Sequence, residues 1–156
     1  MTYKRILVPV DGSRTSQLGL KEAIRLAKGG GAKTGQKASL MLVHVVDEHV
    51  IVMSSMEAGA YLGDLRPSLM KSGRRILRKA EEAVRKAKLG CRTVLLETMV
   101  APAADLIVRQ AKKWRADLIV LGTHGRRGVR RLVMGSDAEQ VVRTSPVPVM
   151  LVRSKK

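Results

Sequence analysis

The residues Leu121–Val142, L-G-T-H-G-R-R-G-V-R-R-L-V-M-G-S-D-A-E-Q-V-V, decide how this chain folds. An apolar run, Leu118 to Leu121, arrives at Gly122. Gly125 and Gly128 follow, with Arg126 and Arg127 beside them. Gly135-Ser136 then precedes Ala138, Val141 and Val142, which recur at helical spacing. The stretch reads as a strand, a glycine-rich basic loop and a helix start. Glycines let a backbone approach a ligand closely. A helix N-terminus offers free N–H groups and the positive end of its dipole. Arginines add charge-assisted donors. All three features suit an anion, and phosphate is the obvious one, although a plain strand-to-helix turn reads the same way.

Working outward, short β-branched runs alternate with helical patterns. Arg5 to Val10 is the first strand, closed by Asp11-Gly12-Ser13, with Ser13 placed to cap a helix over Arg14 to Lys28. Leu20, Ala23, Ile24 and Ala27 lie on one face of that helix. Gly29 to Lys37 reads as a loop. Ser39 to Val46 is the second strand. From His49 to Ser72 no period is clear, and the segment reads as a partly helical lid or a plain loop. Leu69 to Lys88 is a long helix with Ile76, Ala80, Ala83, Val84 and Ala87 as its apolar stripe and Gly90 as its C-cap. Arg92 to Val100 is the third strand. Pro102 stands near the first turn of a helix that turns Leu106, Ile107, Gln110, Ala111 and Trp114 inward. Asp117 to Gly122 is the fourth strand. Ser136 begins the last helix, with Glu139 completing a capping box. Ser145-Pro146 stops it, and Val147 to Arg153 is the fifth strand.

This β-α-β-α-β-α-β-α-β order predicts a five-stranded parallel sheet, doubly wound, with helices on both faces. Ligands of such sheets bind beyond the carboxyl ends of the strands, where strand order reverses. Asp11, Val45 to Asp47 and Gly122 to Gly128 all fall at those ends.

At 156 residues the chain is expected to be one domain, 1–156, with room for a sizeable core. Hydrophobic residues make up 45%, which excludes a disordered chain. Aromatics are 2%, so the core must be aliphatic, as in a sheet buried on both faces. One cysteine, Cys91, excludes an internal disulfide and fits a reducing compartment. No run nears the ~18 apolar residues of a membrane span, and the reading is of a cytoplasmic protein. The net charge of +17 points toward nucleic acid, anionic surfaces or phosphorylated ligands. With almost no aromatics for stacking and no recognised nucleic-acid motif, nucleic-acid binding is expected to be weak and salt-sensitive. His44, inside an apolar strand, reads as a core histidine with its polar atoms satisfied. There is no P-loop lysine and no evident catalytic set.

The spacing G-x2-G-x9-G-S, carried by Gly122, Gly125, Gly135 and Ser136, resembles the nucleotide-binding signature of the universal stress protein family. The likeness extends to R-I-L-V-P-V-D-G-S at Arg5–Ser13, L-V-H-V-V-D at Leu42–Asp47, D-L-I-V-L-G-T-H-G at Asp117–Gly125 and S-P-V-P-V-M-L-V-R at Ser145–Arg153, in the family's order. The resemblance implies a Rossmann-like fold of the adenine nucleotide alpha hydrolase type. It also implies a homodimer formed through the last strand, Val147–Arg153, and ATP binding, often with Mg2+ or Mn2+. By it, Pro9, Val10 and Asp11 would lie on the adenine and ribose side, and backbone groups of Val45 would meet the base. Gly122, His124 and Gly125 would line the ribose-to-phosphate path. Gly135, Ser136 and Ala138 would hold phosphate. Arg126 and Arg127 are added on charge alone. Asp137 departs from the family's usual small or hydroxyl residue. It suits a first helical turn, or a metal ion shared with phosphate oxygens. The implied function is a dimeric, ATP-binding regulatory module of the stress response with at most slow ATP hydrolysis. The alternative is a basic protein that binds nucleic acid or another anionic partner and no nucleotide.

Overall fold

The computed structural model describes residues 3–34, 37–47, 65–123 and 135–154. Five strands alternate with four helices among these residues. They are β1 (Arg5–Pro9), α1 (Arg14–Thr34), β2 (Ser39–Asp47), α2 (Leu65–Lys86), β3 (Cys91–Thr98), α3 (Ala103–Trp114), β4 (Leu118–Gly122), α4 (Ser136–Thr144) and β5 (Val149–Val152). All strands are parallel, in the order β3-β2-β1-β4-β5. The predicted α/β class and doubly wound architecture are therefore what forms.

Period-two alternation explains why both faces are covered. Ile6, Val8, Leu40, Leu42, Leu118 and Val120 point to one face, where Leu20, Ala23 and Ala27 of α1 and Leu77, Ala80 and Val84 of α2 pack on them. Leu7, Met41, Val43, Ile119 and Leu121 point to the other, against Ala104, Ile107, Val108 and Ala111 of α3 and Ala138 and Val141 of α4. Ile6, Leu7, Val8 and Ile119 are fully buried. Each such side chain contributes about 1.5–3 kcal/mol, so the central strands supply most of the cohesion. Cys91 is half-buried at the start of β3, and burial, with Glu81 nearby, pushes its thiol pKa up.

Several boundaries differ from the sequence reading. α1 runs on through Gly29 to Thr34 instead of breaking at the glycines. Each glycine costs about 1 kcal/mol, but a helix already nucleated adds a hydrogen bond per residue. Residues 65–68, read as part of the irregular segment, open α2 about one turn before Leu69, where the sequence reading began the helix. Residues 49–64, the remainder of the suggested lid, lie outside the described residues. α2 is closed not by Gly90 but by Lys88, whose φ of 58° is left-handed, with Leu89 N–H donating to Val84 C=O. β3 ends at Thr98, and Met99 and Val100 stand exposed. β5 spans Val149–Val152, shorter than Val147–Arg153, because two prolines precede it. Asp117 lies outside β4 and accepts from Lys4 N–H at 2.7 Å and Arg5 N–H at 3.0 Å, tying β1 to β4.

His44 is buried, as expected, and its Nδ1 donates to Val10 C=O at 2.6 Å. Gly73, inside α2, is what lets the helix lie over this ring. A Cβ there would stand 2.8 Å from His44 Cδ2 and 2.9 Å from Leu95 Cδ1. Gly73→Ala should lower stability by about 1–3 kcal/mol despite the helix-propensity gain of about 1. Urea denaturation checks it, with a lower midpoint and an unchanged slope expected. A raised midpoint would mean that propensity outweighs the clash.

Candidate functional site

The carboxyl ends of β1 and β4 flank the point where strand order reverses. Their paired register covers only Ile6 with Leu118 and Leu7 with Ile119. Beyond these pairs the ladder lapses, although β1 runs to Pro9 and β4 to Gly122. An opening at this position is where ligands of doubly wound sheets sit.

Two helix N-termini border the opening, and they differ. That of α1 is capped by its own residues. Ser13 Oγ accepts from Ser16 N–H at 3.1 Å, and Asp11 Oδ1 accepts from Ser13 N–H at 2.9 Å. The predicted Ser13 cap is therefore real, and the first turn of α1 is largely spoken for. α4 begins differently. Its N-cap is Gly135, with no side-chain cap, and Ser136 is the first helical residue. The expected Ser136–Glu139 capping box does not form, because Ser136 sits one position too deep. Glu139 instead pairs with Arg143 at 3.7 Å. Among the described residues, the Ser136 and Ala138 N–H groups have no hydrogen-bond partner. They face the end of the sheet with the positive end of the helix dipole. Asp137 and Ser136 are both exposed.

Gly135 N–H donates to Thr123 C=O at 2.9 Å, and Thr123 N–H donates to Val152 C=O at 3.0 Å. These two bonds hold the N-terminus of α4 against the end of β4. His124, Gly125, Arg126 and Arg127 lie between these anchors, outside the described residues.

Gly122 is used by the fold itself. A Cβ there would stand 2.6 Å from the Thr15 carbonyl carbon and 2.8 Å from Ser16 N. Gly19 faces the same contact from α1, with a Cβ 3.4 Å from Gly122 N and from the Leu121 carbonyl carbon. The two glycines let the N-terminal half of α1 lie directly on the end of β4.

On the other side of β1, Val10 N–H donates to Val43 C=O at 2.8 Å. The Val43 backbone thus points toward β1, and by the alternation of a strand so does that of Val45, two residues on. β1 has ended there, so among the described residues no strand pairs with the Val45 N–H and C=O on that side. The side chain of Val10 is buried and both its backbone groups are engaged within the chain. Asp11 keeps its second carboxylate oxygen free among the described residues.

From Val10 and Asp11 a groove of about 1170 Å³ runs between α1 and α2. Arg14 and Lys21 of α1 and Arg75 and Lys79 of α2 line it. The sequence alone assigns no role to these four cations. No signal could have joined them, since they sit on two helices more than fifty residues apart. Among the described residues no cluster of three or more His, Cys, Asp or Glu could hold a metal ion. No helix of the described residues is long and apolar enough to cross a membrane.

The model of the universal stress protein family matches residues 2–153. A universal stress protein of Methanocaldococcus jannaschii is 33% identical over 154 residues, covering 99% of this chain and 84% of the relative. The Bacillus subtilis universal stress protein YxiE is 31% identical over 156 residues, covering 97% of this chain and 99% of the relative. The solved structure of the universal stress protein UspA from Lactobacillus plantarum is similar with a TM-score of 0.77 at 26% identity, covering 98% of this chain and 99% of its own. Two further structures share the fold. One is the Archaeoglobus fulgidus universal stress protein in complex with dAMP, with a TM-score of 0.68 at 24% identity, covering 97% of this chain and 99% of its own. The other is an Arabidopsis thaliana family protein with AMP bound, with a TM-score of 0.67 at 17% identity, covering 97% of this chain and 92% of its own.

Gly122→Ala tests the close approach of α1 to β4. The contact is with backbone, which cannot swing aside, so a loss of about 2–4 kcal/mol is expected. Thermal or urea unfolding should show it. Unchanged stability would mean that α1 stands farther from β4 than the geometry states.

Proposed function

The chain belongs to the universal stress protein family, and from that premise we propose that it binds an adenine nucleotide, ATP, at the carboxyl end of the sheet. The observation that carries this reading is the uncapped N-terminus of α4, anchored through Gly135 to Thr123 beside the switch point. A phosphate chain would accept from the Ser136 and Ala138 N–H groups and the Ser136 hydroxyl, gaining the helix dipole as well. Gly135 contributes by its lack of a side chain. The adenine would meet the outward-directed backbone of Val45, and ribose hydroxyls would donate to the free oxygen of Asp11. Pro9 and Val10 would supply an apolar floor. Gly122 would bring α1 close enough to form one wall. His124, Gly125, Arg126 and Arg127 would complete the phosphate side.

The dAMP and AMP held by the two fold neighbours support an adenine ligand, and the triphosphate rests on the G-x2-G-x9-G-S spacing. A divalent ion, Mg2+ or Mn2+, would be held mainly by phosphate oxygens, as such ions commonly are. Asp137 is the carboxylate on α4 nearest to joining it. With no lysine of P-loop type and no paired carboxylates, the chain is a binding and signalling module with at most slow hydrolysis. We further propose a single 1–156 unit, acting in the cytoplasm and paired with a second copy through β5. That strand is an edge, bonded only to β4 among the described residues, and an unprotected edge is a template for pairing.

Protein purified without added nucleotide should release ATP on denaturation, read by anion-exchange chromatography against ATP, ADP and AMP. Release of ADP or AMP alone would point to turnover or to a different preference. Neither release nor binding on titration with magnesium and ATP would sink the nucleotide reading and leave the basic surface as the leading clue. Ser136→Leu, at an exposed position, should weaken ATP binding roughly 10- to 100-fold without moving the unfolding midpoint. Light scattering coupled to gel filtration should give about twice the 17.1 kDa chain mass. A monomer mass at micromolar concentration would remove the dimer.

A further inference from the structure

A second cleft, of about 650 Å³, lies at the opposite end of the sheet, where the strands begin. Arg5, Lys37, Lys88, Arg92, Lys113 and Arg115 line it, and among the described residues no carboxylate does. We propose that this cleft is a separate binding site for a compact anion carrying several phosphates.

The six cations come from four separate parts of the chain. Arg5 opens β1, and Lys37 precedes β2. Lys88 and Arg92 bracket the start of β3. Lys113 and Arg115 close α3. They are therefore not the solvated face of one helix, and only the fold brings them together. All six are exposed. None makes an ion pair with a described carboxylate. Arg5 donates to the Trp114 carbonyl at 3.0 Å and Lys37 to the Lys88 carbonyl at 3.4 Å. Those partners orient the two side chains and leave their charge uncancelled. Two described carboxylates stand beside the cleft but do not line it. Asp117 accepts from two backbone N–H groups, and Glu81 stands close enough to Cys91 to influence its thiol.

Helix C-termini offer a simpler explanation for cations here. α1, α2 and α3 all end at this side, and each carries about half a negative charge at its last turn. Together they supply about one and a half negative charges, and Asp117 and Glu81 beside the lining add one each, against the six positive charges of the lining. The surplus repels itself, and it is relieved by an anion bearing several charges. The volume falls in the range of small-molecule sites, about 300–1,000 Å³, which favours a compact ligand over an extended strand. Trp114, the chain's only tryptophan, lines the same cleft and gives the site its own reporter.

The full chain should be titrated with inorganic tripolyphosphate, following Trp114 fluorescence, with sulfate at matched ionic strength as the comparison. A saturable change is expected, with a midpoint at least about tenfold below that of sulfate. The double variant R92Q/K113Q, at two exposed positions, should raise that midpoint about tenfold or more while leaving the circular dichroism spectrum unchanged. R92E/K113E should abolish saturation. Equal midpoints for the two anions would overturn the proposal, as would a folded R92Q/K113Q variant that binds as the parent does. A single-stranded oligonucleotide that displaces tripolyphosphate at lower phosphate concentration, with the same dependence on Arg92 and Lys113, would overturn the compact ligand in favour of a strand.

Discussion

The contact between α1 and the end of β4 is the constraint on which the arrangement of the carboxyl end depends. Gly122 and Gly19 bring the backbone of a helix against the backbone of a strand, with no room for a Cβ on Gly122. That approach fixes where α1 begins, and so where Ser13 caps it and where Asp11 turns. It also leaves the far side of β4 to Thr123, which bonds to β5 through one backbone group and to Gly135 through the other. One close packing contact and two hydrogen bonds thereby set two helix N-termini around one opening. The first is filled by its own cap, and the second is left with donors to offer.

The two ends of the sheet carry different chemistry for the same topological reason. In a parallel sheet with right-handed crossovers, every helix starts near the carboxyl ends of the strands and finishes near their amino ends. Free N–H groups and positive dipole ends gather on one side, free carbonyls and negative ends on the other. Lysines and arginines in last turns, such as Lys112, Lys113, Arg85 and Lys86, answer the second side. At the cleft flanked by Arg5, Lys88 and Arg92 the answer exceeds what the dipoles ask. A chain of net charge +17 thus concentrates charge at one place in the fold as well as spreading it over the surface.

Much of the fold was legible because its core is written in one-dimensional periods. Alternation along Ile6–Val8, Leu40–Val43 and Leu118–Leu121 assigns residues to two faces, and i, i+3, i+4 spacing assigns Leu20, Ala23 and Ala27 to one. The limits of elements were less legible, because they depend on competition between local preferences and neighbours. Glycines that would break an isolated helix are carried along at the end of α1, and Gly73 is accepted in α2 since His44 and Leu95 occupy the space its side chain would need. Lys88 took the left-handed turn that Gly90 was expected to take, because the chain had to reverse two residues earlier to start β3 at Cys91.

The sequence by itself determined the class of the fold, the order of its elements, the likeness to a family and the glycine-serine motif at the start of the last helix. These rest on residue type and spacing, which need no third dimension. Tertiary structure alone decided that Gly122 serves the contact with α1, that Ser136 enters the helix instead of capping it, and that Val45 turns its backbone to the side where β1 has ended. It alone drew Arg5, Lys37, Lys88, Arg92, Lys113 and Arg115 to one cleft. Proximity between residues far apart in the chain is set by how strands are ordered and helices packed, and no local pattern encodes it.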